Sequence, residues 1–223
     1  MTNNVINIAI DGPAGSGKST VAKILANKMN LIYLDTGAMY RAIAYFFIKH
    51  GIQPNENEKI NKKIDDINME IKYLDHTQFV YINGVDVTGK IRTNEISMAA
   101  STISKNLVVR KKLVTIQREI AAKFNCVLDG RDIGSYVLPH ANIKIYLTAS
   151  PEIRAHRRNK ELMESGASDN FETILKEIII RDHQDMTREF APLVRAEDAM
   201  LIDTSNLSIE EVVTKIEKLC AKL

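Results

Sequence analysis

The fold this sequence predicts is an α/β protein with an open, mostly parallel sheet flanked by helices, carrying a small inserted antiparallel subdomain. Three observations predict it. Short apolar runs that end in an acid or small polar residue alternate with helical patterns along most of the chain. A glycine-rich loop lies between the first such run and the first helical pattern. One stretch, Met69 to Val87, breaks the rhythm with alternating residues and a hairpin signal.

Val5 to Ile10 reads as a short buried strand ending at Asp11, and Val21, Ala22, Ile24 and Leu25 open an apolar helical face. Between them stand Gly12, Pro13, Ala14, Gly15, Ser16, Gly17, Lys18, Ser19 and Thr20, which match G-x-x-x-x-G-K-[ST] in strand-loop-helix order. Glycines let successive backbone N–H groups close on phosphate oxygens, and the helix that follows aims its positive end at them. Lys18 then reaches the β- and γ-phosphates and the Ser19 hydroxyl ligates Mg²⁺. The core is therefore expected to be of the P-loop NTPase type and to bind ATP.

Leu31 to Leu34 is a second strand, stopping at Asp35-Thr36-Gly37, and a helix follows from about Ala38 to His50 with Gly51 at its end and Pro54 beyond. Asn55 to Asp66 is polar and charged and reads as an exposed connection with one helical turn. In Met69 to Val87 the alternation leads to Asn83-Gly84, so an antiparallel sheet is expected there. Glu95 to Ser104 and Leu107 to Phe124 read as helices, and Cys126 to Asp129 and Ile143 to Thr148 as short buried strands. Ser150-Pro151 starts a helix carrying Arg154, Arg157 and Arg158, and Glu164 to Asn170 is a break. Asp169 with Glu172 forms a capping box for a long helix to about Arg188. Ala199 to Asp203 is the last strand, and Ser208 with Glu211 caps the last helix.

With 223 residues, 45% of them hydrophobic, the chain can hold one sizeable core with subdomains set into it. A formal charge of +2 argues against broad nucleic-acid binding. Of eleven arginines only Arg41 and Arg92 precede Arg110, which concentrates guanidinium groups where a phosphate-handling site would use them. Cys126 and Cys220 lie in apolar runs far apart and read as buried free thiols. Met1 to Asn7 lacks the order of a signal peptide, and the longest apolar run, Ala42 to Ile48, is too short for a bilayer, so a cytoplasmic protein without a membrane partner is expected. The five histidines show no paired ligand spacing, so Mg²⁺ is expected to arrive with ATP rather than in a metal cage.

A P-loop gives nucleotide binding but no reaction. No N-K-x-D guanine motif stands in a suitable place, since Asn27-Lys28-Met29-Asn30 lies inside the first helix and Asn61-Lys62-Lys63-Ile64 ends in the wrong residue. Three groups fit a second, phosphate-bearing substrate. Thr36 and Arg41 fall within about one helical turn at a strand end. Asp129-Gly130-Arg131-Asp132 opens with an acid suited to a water of the Mg²⁺ shell. Arg181, Asp185 and Arg188 fall at i, i+4 and i+7, on one helix face spanning roughly 10 Å. Structural alternatives stand beside these readings: a surface ion pair for Arg181 and Asp185, a turn cap for Asp129, and a solvated face for Arg154, Arg157 and Arg158. Beside a P-loop the balance moves to phosphoryl transfer, which rests on positioning and on neutralising charge.

Over its whole length the chain resembles the bacterial cytidylate kinases, a nucleoside monophosphate kinase family. The matching stretches are Ile10 to Ser19, Leu34 to Arg41, Val85 to Thr88 with Ile91-Arg92, Asp129 to Asp132, Arg154 to Arg158, Arg181-Asp182 and Ala191 to Leu193. The resemblance implies an ATP-binding core (1–38 and 105–223), a CMP-binding subdomain (39–104, its bacterial-type insert at about 64–104) and a lid (151–170). It implies that Ser101, Arg110 and Asp132 read cytosine with Arg188 beside them, and that Thr36, Arg41 and Arg131 hold the CMP phosphate. Arg181 and Asp185 would approach the ribose and the transferred phosphoryl, and Arg157 and Arg158 would belong to the lid. Lys18, Arg131, Arg157, Arg158 and Arg181 make up the implied catalytic set, with Mg²⁺ on Ser19 and, through water, Asp129. Met186 and Thr187 depart from the serine that many members carry there. The implied activity is ATP-dependent phosphorylation of CMP and dCMP by a monomer. A kinase for another monophosphate, or a nucleotide-dependent adaptor, are the rival readings.

Overall fold

The computed structural model describes residues 5–74, 77–164 and 170–221. They fall into two compact units, one from Met1–Leu31 with Asn125–Leu223 and one from Ile32–Phe124. The first unit opens with β1 (Asn7–Asp11) and α1 (Lys18–Met29). The second holds β2 (Ile32–Asp35), α2 (Thr36–Lys49), α3 (Asn57–Lys63), β3 (Met69–Leu74), β4 (Thr77–Ile82), β5 (Val85–Asp86), α4 (Asn94–Ile103) and α5 (Leu107–Lys123). The chain then completes the first unit with β6 (Cys126–Gly130), β7 (Ile143–Thr148), α6 (Pro151–Glu164), α7 (Phe171–Thr187), β8 (Met200–Asp203) and α8 (Ile209–Cys220).

In the first unit β6, β1, β7 and β8 lie side by side, all parallel. Ile8, Ala9 and Ile10 are inaccessible, as are Val127, Leu128 and Leu147 on the strands beside them. Continuous apolar runs are what a parallel sheet covered on both faces requires. Val21, Ala22 and Leu25 of α1 and Val212, Val213 and Ile216 of α8 supply helical cover. Asp11 stands opposite Gly130, and Ile10 opposite Asp129, so the P-loop and the Asp129-to-Asp132 segment leave the sheet side by side. Chain direction alone then gathers the polar residues at the carboxyl ends of the strands.

In the second unit β3, β4 and β5 form the expected antiparallel sheet. Asn83 and Gly84 both have positive φ, at 49° and 77°, which is the backbone twist a two-residue hairpin turn demands. The stretch Asn55 to Asp66 is mostly exposed and carries the expected helical turn as α3, but two of its residues are not solvated. Ile60 and Ile64 are buried, and Asn106 donates to the side chains of Asn57 (2.8 Å) and Asn61 (2.9 Å). The isoleucines at 60, 64 and 67 are one apolar face, obscured in sequence by the charges between them.

Three further expectations are corrected. α2 begins at Thr36 rather than Ala38, because the Asp35 carboxylate accepts the Ala38 N–H at 2.8 Å and caps the helix from within the strand end. Asp169 lies outside the described residues, and it is Asn170 that caps α7, accepting the Glu172 N–H at 2.8 Å. Arg188 is not on the helix face with Arg181 and Asp185, since the backbone turns extended there (φ −63°, ψ 139°) and α7 stops at Thr187. A segment that sequence left without structure, Ile133–Val137, is a π-helical turn following β6, a rare element common at functional sites.

Cys126 and Cys220 are buried and free, as expected. Burial pushes the Cys126 thiol up to about 12. Among the described residues no helix is long and apolar enough to cross a membrane. The Ser208 and Glu211 capping box is formed in both directions at the start of α8. Replacing Ser208 with Ala should therefore lower stability by about 1 kcal/mol, read as a reduced urea midpoint with an unchanged slope.

Candidate active site

β1 delivers the chain to the P-loop through Gly12, where φ is +147° and a Cβ would lie 1.9 Å from the Leu147 carbonyl oxygen. No larger residue fits so close to the neighbouring strand. Gly17 caps α1 in the left-handed region (φ 88°), and α1 starts at Lys18. The Lys18 ammonium donates to the Pro13 carbonyl oxygen at 2.6 Å, folded back into the loop that follows the strand. Burial and the charge of Arg131 hold its pKa well below the usual lysine range, with Arg181 adding to the effect and Asp129 and Asp11 opposing it. The Ser19 hydroxyl donates to Asp129 Oδ2 at 2.6 Å. Asp129 is thus joined to the loop.

Next to this cluster lie two buried ion pairs. Arg131 Nε donates to Asp185 Oδ2 at 2.8 Å, and Arg188 donates to Asp132 Oδ1 at 3.1 Å while its Nε reaches the Ala191 carbonyl at 2.6 Å. Asp185 is only 6% exposed, so it is no member of a surface ion pair. Burial by itself would raise its pKa, but Arg131, Arg181 and Arg188 together outweigh that and hold it below the usual carboxylate range. In the first unit, then, the structure brings Lys18, Ser19, Asp129, Arg131, Arg181 and Asp185 into one field of charge, with the Asp132–Arg188 pair alongside.

The arginines of α6 separate into three roles. Arg154 is no part of a solvated face: it is 3% exposed and donates to the carbonyls of Ala149 (2.9 Å) and Ala14 (3.1 Å), with Asp182 at 2.6 Å. It braces the P-loop against α7. Arg157 donates to the Thr204 hydroxyl (2.9 Å) and carbonyl (2.6 Å), and Thr204 in turn reaches the Ser16 carbonyl at 3.3 Å. Arg158 is exposed and pairs with Glu161 at 3.3 Å.

The second unit has its own charged cluster. Asp35 Oδ2 receives Arg41 at 3.0 Å and Arg92 at 3.2 Å, beside the buried Thr36. Gly37 leaves room for this, since a Cβ there would meet Arg41 Nη1 at 3.1 Å. Arg110, 1% exposed, donates to the Ser104 carbonyl at 3.2 Å, and its guanidinium lies 5.7 Å from the Tyr40 ring centre. Ser101 is on α4, its carbonyl accepting the Ser104 hydroxyl at 2.8 Å.

Sequence reasoning singled out neither Thr204 nor Asp11 for the site. Thr204 carried no signal beyond following a strand. Asp11 carried one, an acid closing a strand of otherwise buried residues. Its oxygens accept the N–H groups of Ile133 (2.8 Å) and Gly134 (2.7 Å). Burial pushes this carboxyl up from 3.8 to about 7, with Asp132 adding to the rise and the two N–H groups and Lys18 opposing it. A carboxyl that holds its proton more tightly folded than unfolded contributes stability that is complete below its unfolded pKa and lost as pH rises through the folded value. Measured against Asp11→Asn, the unfolding free energy of the wild-type chain should therefore fall between about pH 4 and about pH 7. A difference that stays flat across that range would contradict the shift.

The family model described as cytidylate kinase matches residues 8–222. A cytidylate kinase of Caldicellulosiruptor bescii is 50% identical over 98% of this chain and 96% of its own length. One of Halalkalibacterium halodurans is 49% identical over 95% of each chain. Among solved structures, a gluconokinase from Sinorhizobium meliloti covers 97% of this chain and 92% of its own, with a TM-score of 0.50 and 14% identity. An uncharacterized protein from Eubacterium ventriosum covers 98% and 99% with a TM-score of 0.51 and 15% identity. At such identities the structural likeness is one of fold alone.

Proposed function

The chain belongs to the cytidylate kinase family, and from that premise we propose how its residues divide the transfer of a phosphoryl group from ATP to CMP, with dCMP also accepted. The observation that carries the division is the buried cluster at the ends of β1 and β6, where P-loop residues and paired arginines stand together.

ATP belongs to the P-loop, Gly12 to Thr20, in a core made of 1–38 and 105–223. Lys18 donates to the Pro13 carbonyl at 2.6 Å and reaches the Ser16 hydroxyl at 3.4 Å, both in the loop, so its ammonium can be exchanged onto phosphate oxygens without a large rearrangement. Ser19 and Asp129 offer a hydroxyl and a carboxylate oxygen 2.6 Å apart, the hard oxygen donors that Mg²⁺ takes. We assign Ser19 to the ion directly and Asp129 through a water. When bound with ATP, Mg²⁺ supplies neutralisation of phosphate charge.

CMP is assigned to Thr36, Arg41, Ser101, Arg110, Arg131, Asp132, Asp185 and Arg188. Thr36, Arg41 and Arg131 take its phosphate, and Arg110, Asp132, Ser101 and Arg188 its base. Arg181 and Asp185 serve the ribose and the moving phosphoryl. Phosphoryl transfer needs positioning and charge neutralisation more than covalent chemistry from protein, which is what several fixed guanidinium groups provide. Arg157 and Arg158 complete the catalytic set from the lid, proposed as 151–170. Residues 39–104 form the proposed CMP-binding subdomain, with the bacterial-type insert at about 64–104. We take the enzyme to be a cytoplasmic monomer.

An ADP-coupled assay across CMP, dCMP, UMP, AMP, GMP and dTMP should give the highest turnover with CMP and dCMP. Equal or greater turnover of AMP or dTMP would overturn the base assignment, and ATP binding without transfer to any monophosphate would favour an adaptor. Arg188→Met should reduce kcat/KM for CMP by about a hundredfold or more, as the loss of a buried charge pair implies, with ATP affinity nearly unchanged. An equal loss of ATP affinity would refute the division of roles.

A further inference from the structure

We propose that Asp11 is a positioning residue for the acceptor: anchored to the strand that feeds the P-loop, its carboxylate holds the turn that presents Arg131 and Asp132. The inference rests on the reading of Arg131 and Asp132 as CMP contacts.

The first N–H groups of a helical turn find no partner inside it. In the turn Ile133–Val137 two of these, from Ile133 and Gly134, are received by the two oxygens of Asp11 at 2.8 and 2.7 Å. Arg131 and Asp132 immediately precede them in the chain, and Gly12 immediately follows Asp11. A single side chain therefore joins the start of the ATP loop to the segment assigned to the acceptor. The junction is tight. A Cβ on Gly134 would meet Lys144 Cδ at 3.2 Å, Lys144 Cγ at 3.3 Å and Asp11 Oδ2 at 3.4 Å. Lys144 cannot readily yield, because its ammonium is held by both oxygens of Asp198, at 2.9 and 2.7 Å, and by the Pro139 carbonyl at 2.5 Å. The turn is pressed against β7 on one side and tethered by Asp11 on the other.

Two acceptors are essential to this tether. Two N–H donors aimed at two oxygens require a group with an accepting oxygen at both positions, which a carboxyl group supplies. An asparagine has one oxygen and turns its NH₂ toward the other N–H, donor against donor. Released from Asp11, the turn no longer fixes where Asp132 meets Arg188 or where Arg131 meets Asp185, and both pairs belong to the proposed acceptor set.

The test is steady-state kinetics on the full chain with each substrate varied in turn. Asp11→Asn should raise KM for CMP about tenfold or more, the scale of one charge-assisted hydrogen bond, with KM for ATP within about twofold of wild type. A purely structural role would move both constants or only the melting temperature. Gly134→Ala, which crowds the same turn without adding or removing a charged group, should shift KM for CMP in the same direction. If neither constant moves, or if KM for ATP rises as far as KM for CMP, the proposal is overturned. Should Asp11→Asn fail to fold, the same criteria are applied to Gly134→Ala. Asp132→Asn separates the proposal from its premise. If it leaves KM for CMP unchanged, the acceptor assignment itself fails. If it raises KM while the Asp11 and Gly134 variants do not, only the role of Asp11 is lost.

Discussion

A charge placed in the interior at the end of a parallel sheet must meet an opposite charge or an array of dipoles, since breaking a buried pair costs about 3–5 kcal/mol. In this protein that constraint organises the site. Asp11, Lys18, Asp129, Asp132, Arg154, Asp182 and Asp185 are all at least nine-tenths buried, and they belong to the same unit. Each acid is matched: Asp11 by two N–H groups, Asp129 by Ser19, Asp132 by Arg188, Asp182 by Arg154 and Asp185 by Arg131. Residues proposed to handle the nucleotides are therefore among those that satisfy one another in the folded chain.

The matching has a functional consequence. A guanidinium already desolvated and oriented by a carboxylate needs little reorganisation to meet a phosphate, and this preorganisation is where catalysis of phosphoryl transfer is to be found. Asp35 does for Arg41 and Arg92 in the second unit what Asp185 does for Arg131 in the first. The exposed Arg158 with Glu161 forms the contrast, a pair of long mobile side chains worth little to stability.

Rigidity in the first unit comes from backbone carbonyls as much as from charges. Arg154 joins Ala149, Ala14 and Asp182, and Arg157 joins Thr204, whose hydroxyl reaches Ser16 and Thr148. The P-loop is thereby fixed to α6, α7 and the end of β8 at once. Family membership established by sequence explains the identity of the motifs. The arginine braces tie the loop carrying them to its surroundings.

The sequence by itself determined the alternation of strands and helices, the P-loop and its order, the Asn83-Gly84 hairpin, the Ser208 cap, the buried thiols and the family. These are local properties: they depend on periodicity, on backbone preferences of single residues and on contiguous motifs, all written along the chain. Tertiary structure decided the rest. That Arg154 is a buried brace rather than part of a solvated face follows from Asp182, distant in sequence. That Arg188 leaves the helix of Arg181 and Asp185 follows from the chain turning extended, with its guanidinium drawn to Ala191 and Asp132. The sequence offered a helical turn at Asn57–Lys63, but that its isoleucines are buried and that Asn106 bonds its polar face was decided by tertiary structure. Asp11 had the same letters in both views. What sequence could not supply was the parallel register that sets it against Gly130 and brings two N–H groups of a later turn to its oxygens, because pairing between residues more than a hundred positions apart is fixed by packing and not by pattern.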